Sequence, residues 1–280
     1  MSESKGNAKG LIDKILDIDS RLIFLLLLIV LIIPIVKPIG FPISVSSYTR
    51  DLYNYIDKLK PGSLVLFWSE MGWGWWPSEY RPAAVACVQL MINKGIRFIS
   101  VSGVADDPLI WHHMIKDLLD LKNYKYGIDY LLLGYYPGGE TAKANFARDI
   151  RAMVKSDYLE NKPLDEFPIM KGINDARAFD LVIEISATPA EIILRQFRTA
   201  YGTPVGLIGS AGMFSDFLPY YASGQIVGFT CGLSGGAEFE YLTRQPRWGL
   251  AALDALSTSH ILMVILICIS NGLYLLKKWR

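Results

Sequence analysis

Residues 180–209 read DLVIEISATPAEIILRQFRTAYGTPVGLIG and contain a complete strand–helix–strand unit. Asp180–Ala187 is a short β-rich apolar run, Pro189–Tyr201 has helical character, and Pro204–Gly209 is apolar again. A continuous apolar run of this length reads as a strand covered on both faces, because a one-sided strand alternates apolar with polar residues. Two parallel strands need a crossover between them, and a helix is the usual one.

The same rhythm extends in both directions. Ser63–Glu70, Arg97–Gly103 and Asp129–Tyr135 are strand-like runs upstream; Gln225–Cys231 follows downstream, with a shorter strand at about Ala237–Leu242. Helical segments are expected at Ala83–Lys94, Pro108–Leu121, Glu140–Val154 and Met213–Ala222. The pattern predicts an α/β domain with three layers and a doubly wound, mostly parallel sheet, Rossmann-like or flavodoxin-like. Lys155–Ile173 is the one long connection. It marks the crossover between two halves and places strands one and four side by side at the switch point.

Apolar segments flank this domain. Residues 22–43 and 255–276 each approach the roughly 20 residues that a membrane helix needs. The expected organisation is a cytoplasmic amphipathic lead-in at 1–21, a first span at 22–43, the α/β domain at 44–254, a second span at 255–276 and a basic tail at 277–280. Within the lead-in, GLIDKILDIDSR at 10–21 either lies in the membrane interface or simply leads into the first span. Ser257, Thr258 and Ser259 are expected as caps at the start of the second span, and Ser270, Asn271 and Gly272 as a contact with another helix. Lys and Arg are denser on the terminal sides (Lys5, Lys9, Lys14, Arg21, Lys277, Lys278, Arg280) than on the inner flanks. The positive-inside rule then puts both termini in the cytoplasm and the domain outside it, with the first span an uncleaved signal anchor.

A formal net charge of +1 argues against a nucleic-acid binder. Three cysteines set no disulfide framework; Cys87 and Cys231 read as buried thiols. Ligands of open α/β sheets bind beyond the carboxyl ends of the strands, so the loops there hold the candidate ligand residues: Ser69, Gly103, Gly138, Gly139, Thr188, Ser210 and Ser234.

Glu184 interrupts an apolar strand, Glu70 ends the first strand, and Asp106 with Asp107 follows the second. A buried carboxylate needs a partner or a proton. If strands one and four adjoin, Glu70, Glu184 and Asp106 form a candidate catalytic or divalent-metal cluster. Alternatively Glu184 is satisfied by an Arg or a backbone amide, and the Asp residues cap a helix. Gly232–Gly236 fits G-x-S-x-G, but its expected surroundings are wrong for a nucleophile elbow, and too little chain follows Asp254 and His260. Tyr136–Lys143 lacks the G-K-[ST] of a phosphate loop. Adjacent His112 and His113 point about 100° apart on a helix and suit no shared metal ion. Trp73, Trp75, Trp76 and Arg81 form a candidate partner surface, which also suits a sugar or the membrane interface.

The chain is similar to an uncharacterised family of prokaryotic two-span membrane proteins with a central α/β domain. The resemblance rests on Leu11–Asp19, Gly134–Gly138, Phe167–Gly172, Ser223–Gly228, Gly235–Glu240 and Asn271–Gly272. It implies architecture and no activity or cofactor. The expected function is therefore a double-anchored module at the cell membrane. Its extracytoplasmic domain would bind a small molecule or protein partner, within a homo-oligomer in the lipid bilayer. The alternative is a membrane-tethered, metal-assisted hydrolase at the strand-end carboxylates.

Overall fold

The computed structural model describes residues 18–121, 123–245 and 248–279. Its principal helices are α1 (Ser20–Val36), α2 (Ser47–Lys58), α3 (Arg81–Lys94), α4 (Asp107–Leu121), α5 (Gly139–Arg148), α6 (Phe214–Ala222), α7 (Gly232–Leu242) and α8 (Trp248–Lys278). The strands are β1 (Leu64–Ser69), β2 (Arg97–Ser102), β3 (Tyr130–Tyr135), β4 (Leu181–Ser186), β5 (Val205–Gly209) and β6 (Gly228–Cys231). Two units are distinguishable: Ile43–Gly249, and the terminal segments Met1–Pro42 with Leu250–Arg280.

In the first unit six strands form one sheet in the order β3-β2-β1-β4-β5-β6, and every pair is parallel. This is the doubly wound Rossmann order, with the switch point between β1 and β4 as expected. Every residue of β1, β4 and β5 is buried, which is why these strands read as unbroken apolar runs. The side-chain period of two divides the core. Val65, Phe67, Phe98 and Ile183 face α2, α3 and α4, meeting Leu52, Val88 and Trp111. Leu66, Trp68, Ile99 and Val182 face the other way, toward Phe146 of α5, Phe197 and Phe217.

Several expected elements change. The strand at Ala237–Leu242 is instead the end of helix α7. The helix expected at Glu140–Val154 breaks at Asp149, whose side chain accepts the Ala152 N–H and starts a separate turn, Ile150–Met153. The helix after β4 has one α turn, Ala190–Ile193, and continues as a π-helix, Leu194–Thr199. Helix α2 was not anticipated at all. Its Thr49, Leu52 and Ile56 are its buried face, and it packs beside β6, where Gly228 leaves room for its backbone. Ser46, just before α2, donates both its backbone N–H (3.1 Å) and its hydroxyl (2.5 Å) to Glu238 of α7.

The terminal unit contains α1 and most of α8. Among the described residues α8 is the one helix long and apolar enough to cross a membrane. The first span does not form as expected over 22–43. Helix α1 has 17 residues, or about 25 Å at the α-helical rise, short of a ~30 Å hydrocarbon core. It stops because Pro38 biases the preceding Lys37 toward extended backbone, and Lys37 has φ −138°, ψ 97°. The extended segment beyond it is held by Asp254, whose carboxylate accepts the N–H groups of Ile39 (2.8 Å), Gly40 (2.8 Å) and Phe41 (3.2 Å). Ser257, Thr258 and Ser259 lie inside α8 rather than capping it. Thr258 and Ser259 hydroxyls bond back to carbonyls of the preceding turn. Of the amphipathic lead-in, residues 1–17 lie outside the described residues, as does Arg280 of the tail.

Candidate functional site

The register brings the strand-end carboxylates to one face. Trp68 of β1 pairs with Glu184 of β4, so the two side chains project from the sheet together. Glu70, two residues beyond Trp68, continues that face. The face is covered by α5, which starts at Gly139 behind its N-cap Gly138; both glycines have positive φ, 52° and 124° respectively. Ala142, Lys143, Phe146 and Ala147 form the buried side of α5. Lys143 therefore enters the layer as a core residue, with its side chain 1% exposed.

Its ammonium joins the two carboxylates. Lys143 Nζ lies 2.9 Å from Glu70 Oε1 and 2.6 Å from Glu184 Oε1, and 5.6 Å from the centre of the Trp68 ring. Trp68 Nε1 donates to Glu70 Oε1 at 3.0 Å, and Thr188 Oγ1 donates to Glu184 Oε1 at 3.2 Å. Ser186 and Thr188 hydroxyls are 2.8 Å apart. Gly103 sits against Glu70; a Cβ there would meet Glu70 Oε1 at 2.6 Å. Glu184 Oε2 is buried and has no hydrogen-bond partner among the described residues.

Burial pushes the Glu184 carboxyl up to about 7; the Lys143 charge pulls it down, and the like charge of Glu70 adds to the rise. For Lys143, burial favours the neutral amine, but the two glutamates outweigh it and raise the group above its ordinary value. Lys143 is thus held as an ammonium and does not serve as an amine nucleophile. Glu184 is the group able to hold or release a proton near neutral pH.

The other expected site residues separate into local roles. Ser69 and Ser102 hydroxyls bond each other at 2.9 Å in the buried ends of β1 and β2. Asp107 accepts the N–H groups of Met71 (2.8 Å) and Gly72 (2.7 Å), and Asp106 accepts that of Trp73 (2.9 Å). The acidic pair therefore organises the loop after β1. Burial raises the Asp107 carboxyl to about 6 despite the two backbone donors. The position between Glu70 and Glu184 that a cation would take belongs to Lys143, and among the described residues no group of three or more metal-ligating side chains exists. The satisfying partner of Glu184 is a lysine from α5 rather than an Arg or a backbone amide.

Ser210 follows β5, and Ser234 lies in the helix start that follows the neighbouring β6. The two segments touch at Gly232 and Ala211: a Cβ on Gly232 would meet Ala211 Cβ at 2.9 Å. Ser234 is exposed in the first turn of α7 and has no positive φ, so the strained serine of a nucleophile elbow is not present there. Trp73 is 46% exposed and Arg81 is exposed, whereas Tyr80 is buried. The Trp75 and Trp76 side chains lie outside the described residues. His112 and His113 sit on α4, half-buried and exposed respectively. All three cysteines are free.

Compared with known proteins, the chain matches no protein-family model and no curated protein. Lys143 was not singled out from the sequence, although it stands three residues before Phe146 and four before Ala147, on the apolar stripe of its helix.

The raised Glu184 carboxyl has a thermodynamic consequence. A carboxyl that holds its proton more tightly folded than unfolded stabilises the fold at low pH; that contribution is lost as pH rises through the folded value. The α/β unit should lose on the order of 2–3 kcal/mol between pH 5 and pH 8 from this group. Glu184→Gln keeps the shape without the titration, and should flatten that part of the curve. Thermal unfolding across this pH range checks it; equal slopes in both proteins would remove Glu184 as the titrating group.

Proposed function

We propose that the chain is a double-anchored membrane protein whose α/β domain lies outside the cytoplasm and binds a small molecule or protein partner at the carboxyl edge of its sheet, as part of a homo-oligomer. The observation that carries the double anchoring is where the chain joins its domain. Ser46, at the start, donates to Glu238 of α7, and Gly249, at the end, donates its N–H to Glu240 of the same helix at 2.9 Å. Both tethers therefore leave the domain beside one helix, as insertion into one bilayer from one side requires.

Helix α8 supplies one span by length and composition. Helix α1, with apolar side chains such as Phe24 and Leu28 exposed, supplies the second. Its shortness is accommodated by local bilayer thinning and by the snorkelling of Lys37. The excess of Lys and Arg on the terminal sides supports the outward placement of the domain. Binding at the sheet edge is supported by the switch point between β1 and β4, whose depth is filled by the charge network. A metal-assisted hydrolase at Glu70, Glu184 and Asp106 is not adopted, because Lys143 stands where its ion would bind.

Membranes from expressing cells test the reading. The chain should resist alkaline extraction and leave the pellet only with detergent. A Glu160→Cys variant, at a side chain 42% exposed, should react with an impermeant maleimide on intact cells above the parent background. Labelling that needs lysis reverses the orientation; release by alkali ends the membrane assignment.

A further inference from the structure

Helix α8 has two unlike sides. Leu262, Leu266 and Leu273 are half-buried, and Leu266 and Leu273 line one groove with Ile18 and with Ile23 of α1. Thr258, one turn before Leu262, has its hydroxyl 3.3 Å from the Val30 carbonyl oxygen of α1. This side is therefore packed within the terminal unit. At 3.6 residues per turn, Ile261, Val264, Cys268, Asn271 and Leu275 lie on the opposite side, and all five are exposed. They are spaced by three, four, three and four residues, as in the seam of two supercoiled helices.

One member of this seam is polar. Asn271 stands before Leu276, where the apolar run ends, by about 8 Å of helix. Its short side chain does not reach the head groups from that depth. It borders the groove beside α1 but remains exposed, and its amide makes no hydrogen bond among the described residues. Lipid chains offer an amide neither donor nor acceptor, so leaving it against them costs on the order of 2 kcal/mol or more. Beside it, a Cβ on Gly272 would meet nothing within 4 Å, so a second backbone has room to approach there.

We infer that this seam is the contact between two copies of the chain, with α8 parallel to α8 and Asn271 paired to Asn271. The amide carries complementary partial charges, an oxygen that accepts and an NH2 that donates. Two copies inserted the same way hold this amide at the same depth. A two-fold axis along the membrane normal then sets each donor on the other's acceptor. A different partner would need its own polar group at that level. A single Asn in an apolar seam also fixes the register, because sliding by one turn leaves both amides unpaired. The inference rests on the membrane reading above and names the surface through which its homo-oligomer forms.

The seam carries its own probe, the exposed free thiol of Cys268, one turn before Asn271. The test uses membranes from cells expressing the full chain as Cys231→Ser, in which Cys87 is buried. Copper–phenanthroline should link two chains through Cys268 into a product of twice the chain's mass, and Cys268→Ser should abolish it. Ile269→Cys added to Cys268→Ser points about 100° away around the helix and should not restore the product. In mild detergent, Asn271→Leu should weaken self-association roughly threefold to tenfold, the size of one hydrogen-bonded contact between membrane helices. Asn271→Gln keeps an amide and should lose less. Equal linking through Ile269→Cys, or an association unchanged by Asn271→Leu, would overturn the inference. A Cys268 product of any other mass would give the face to a different protein and overturn it too. Release of the chain by alkali would instead reject the membrane reading beneath it, whereas retention in the pellet without a Cys268 product rejects this pairing alone.

Discussion

Lys143→Met should destabilise the α/β unit by about 3–5 kcal/mol at pH 8, lowering its melting temperature by about 10 °C or more. The ammonium is the shared partner of Glu70 and Glu184, and its side chain is 1% exposed. Methionine fills the volume but leaves the two carboxylates without their shared cation, Glu184 at 1% and Glu70 at 13% side-chain exposure. The loss should shrink at pH 5, where Glu184 is neutral because burial has raised its carboxyl to about 7. Adding Glu184→Leu to Lys143→Met should restore much of the stability, since well-packed apolar groups often replace a buried ion pair without loss. Thermal unfolding of the three proteins in detergent at the two pH values measures all of this. A single variant as stable as the parent at pH 8 would show that Lys143 does not neutralise the pair.

Gly228→Ala should be the most disruptive single-methyl change in the sheet. A Cβ at Gly228 would stand 2.3 Å from the Leu52 backbone nitrogen and 2.8 Å from the Tyr48 carbonyl oxygen. These are backbone atoms of α2 and cannot rotate aside, so the helix must move away from β6. Leu52 and Ile56, both 0% exposed, would lose their packing as it moves. A cost of about 3 kcal/mol follows from overpacking together with loss of that buried area. Gly212→Ala is the matched control, because the nearest atom to its Cβ is Ser210 Oγ at 3.9 Å. Limited proteolysis in 43–58 should rise only in Gly228→Ala. Equal protection in the two variants would show that α2 does not press on that strand.

The strands were legible because an α/β sheet hides both faces. Leu181-Val182-Ile183 or Leu131-Leu132-Leu133 leaves little choice once a helix follows each run. Adjacency of β1 and β4 was legible from the one long connection, which in the structure carries the 3₁₀ turns Leu164–Glu166 and Pro168–Met170. Helix α2 was missed although Thr49, Leu52 and Ile56 lie on one face, because its other positions are polar and aromatic and its apolar stripe is narrow. The Ala237–Leu242 error has a similar cause. A short run such as AEFEYL alternates like a strand, and the three glycines before it disfavour a helix locally; packing against α3 overrides both.

The site divides in the same way. Glu184 was recognisable alone, since a carboxylate inside LVIEI must be answered by something. What answers it was not recognisable, because Lys143 comes from a helix after β3 and reaches β4 only when α5 lies across the sheet. Composition and local pattern determined that this chain has a parallel sheet core and long apolar termini, since each depends on residues close together along the chain. Which cation sits between the glutamates and which loops share an edge depended on contacts between distant segments. Those contacts are set by burial and by the need to neutralise charge inside the layer, and no local window of residues contains them.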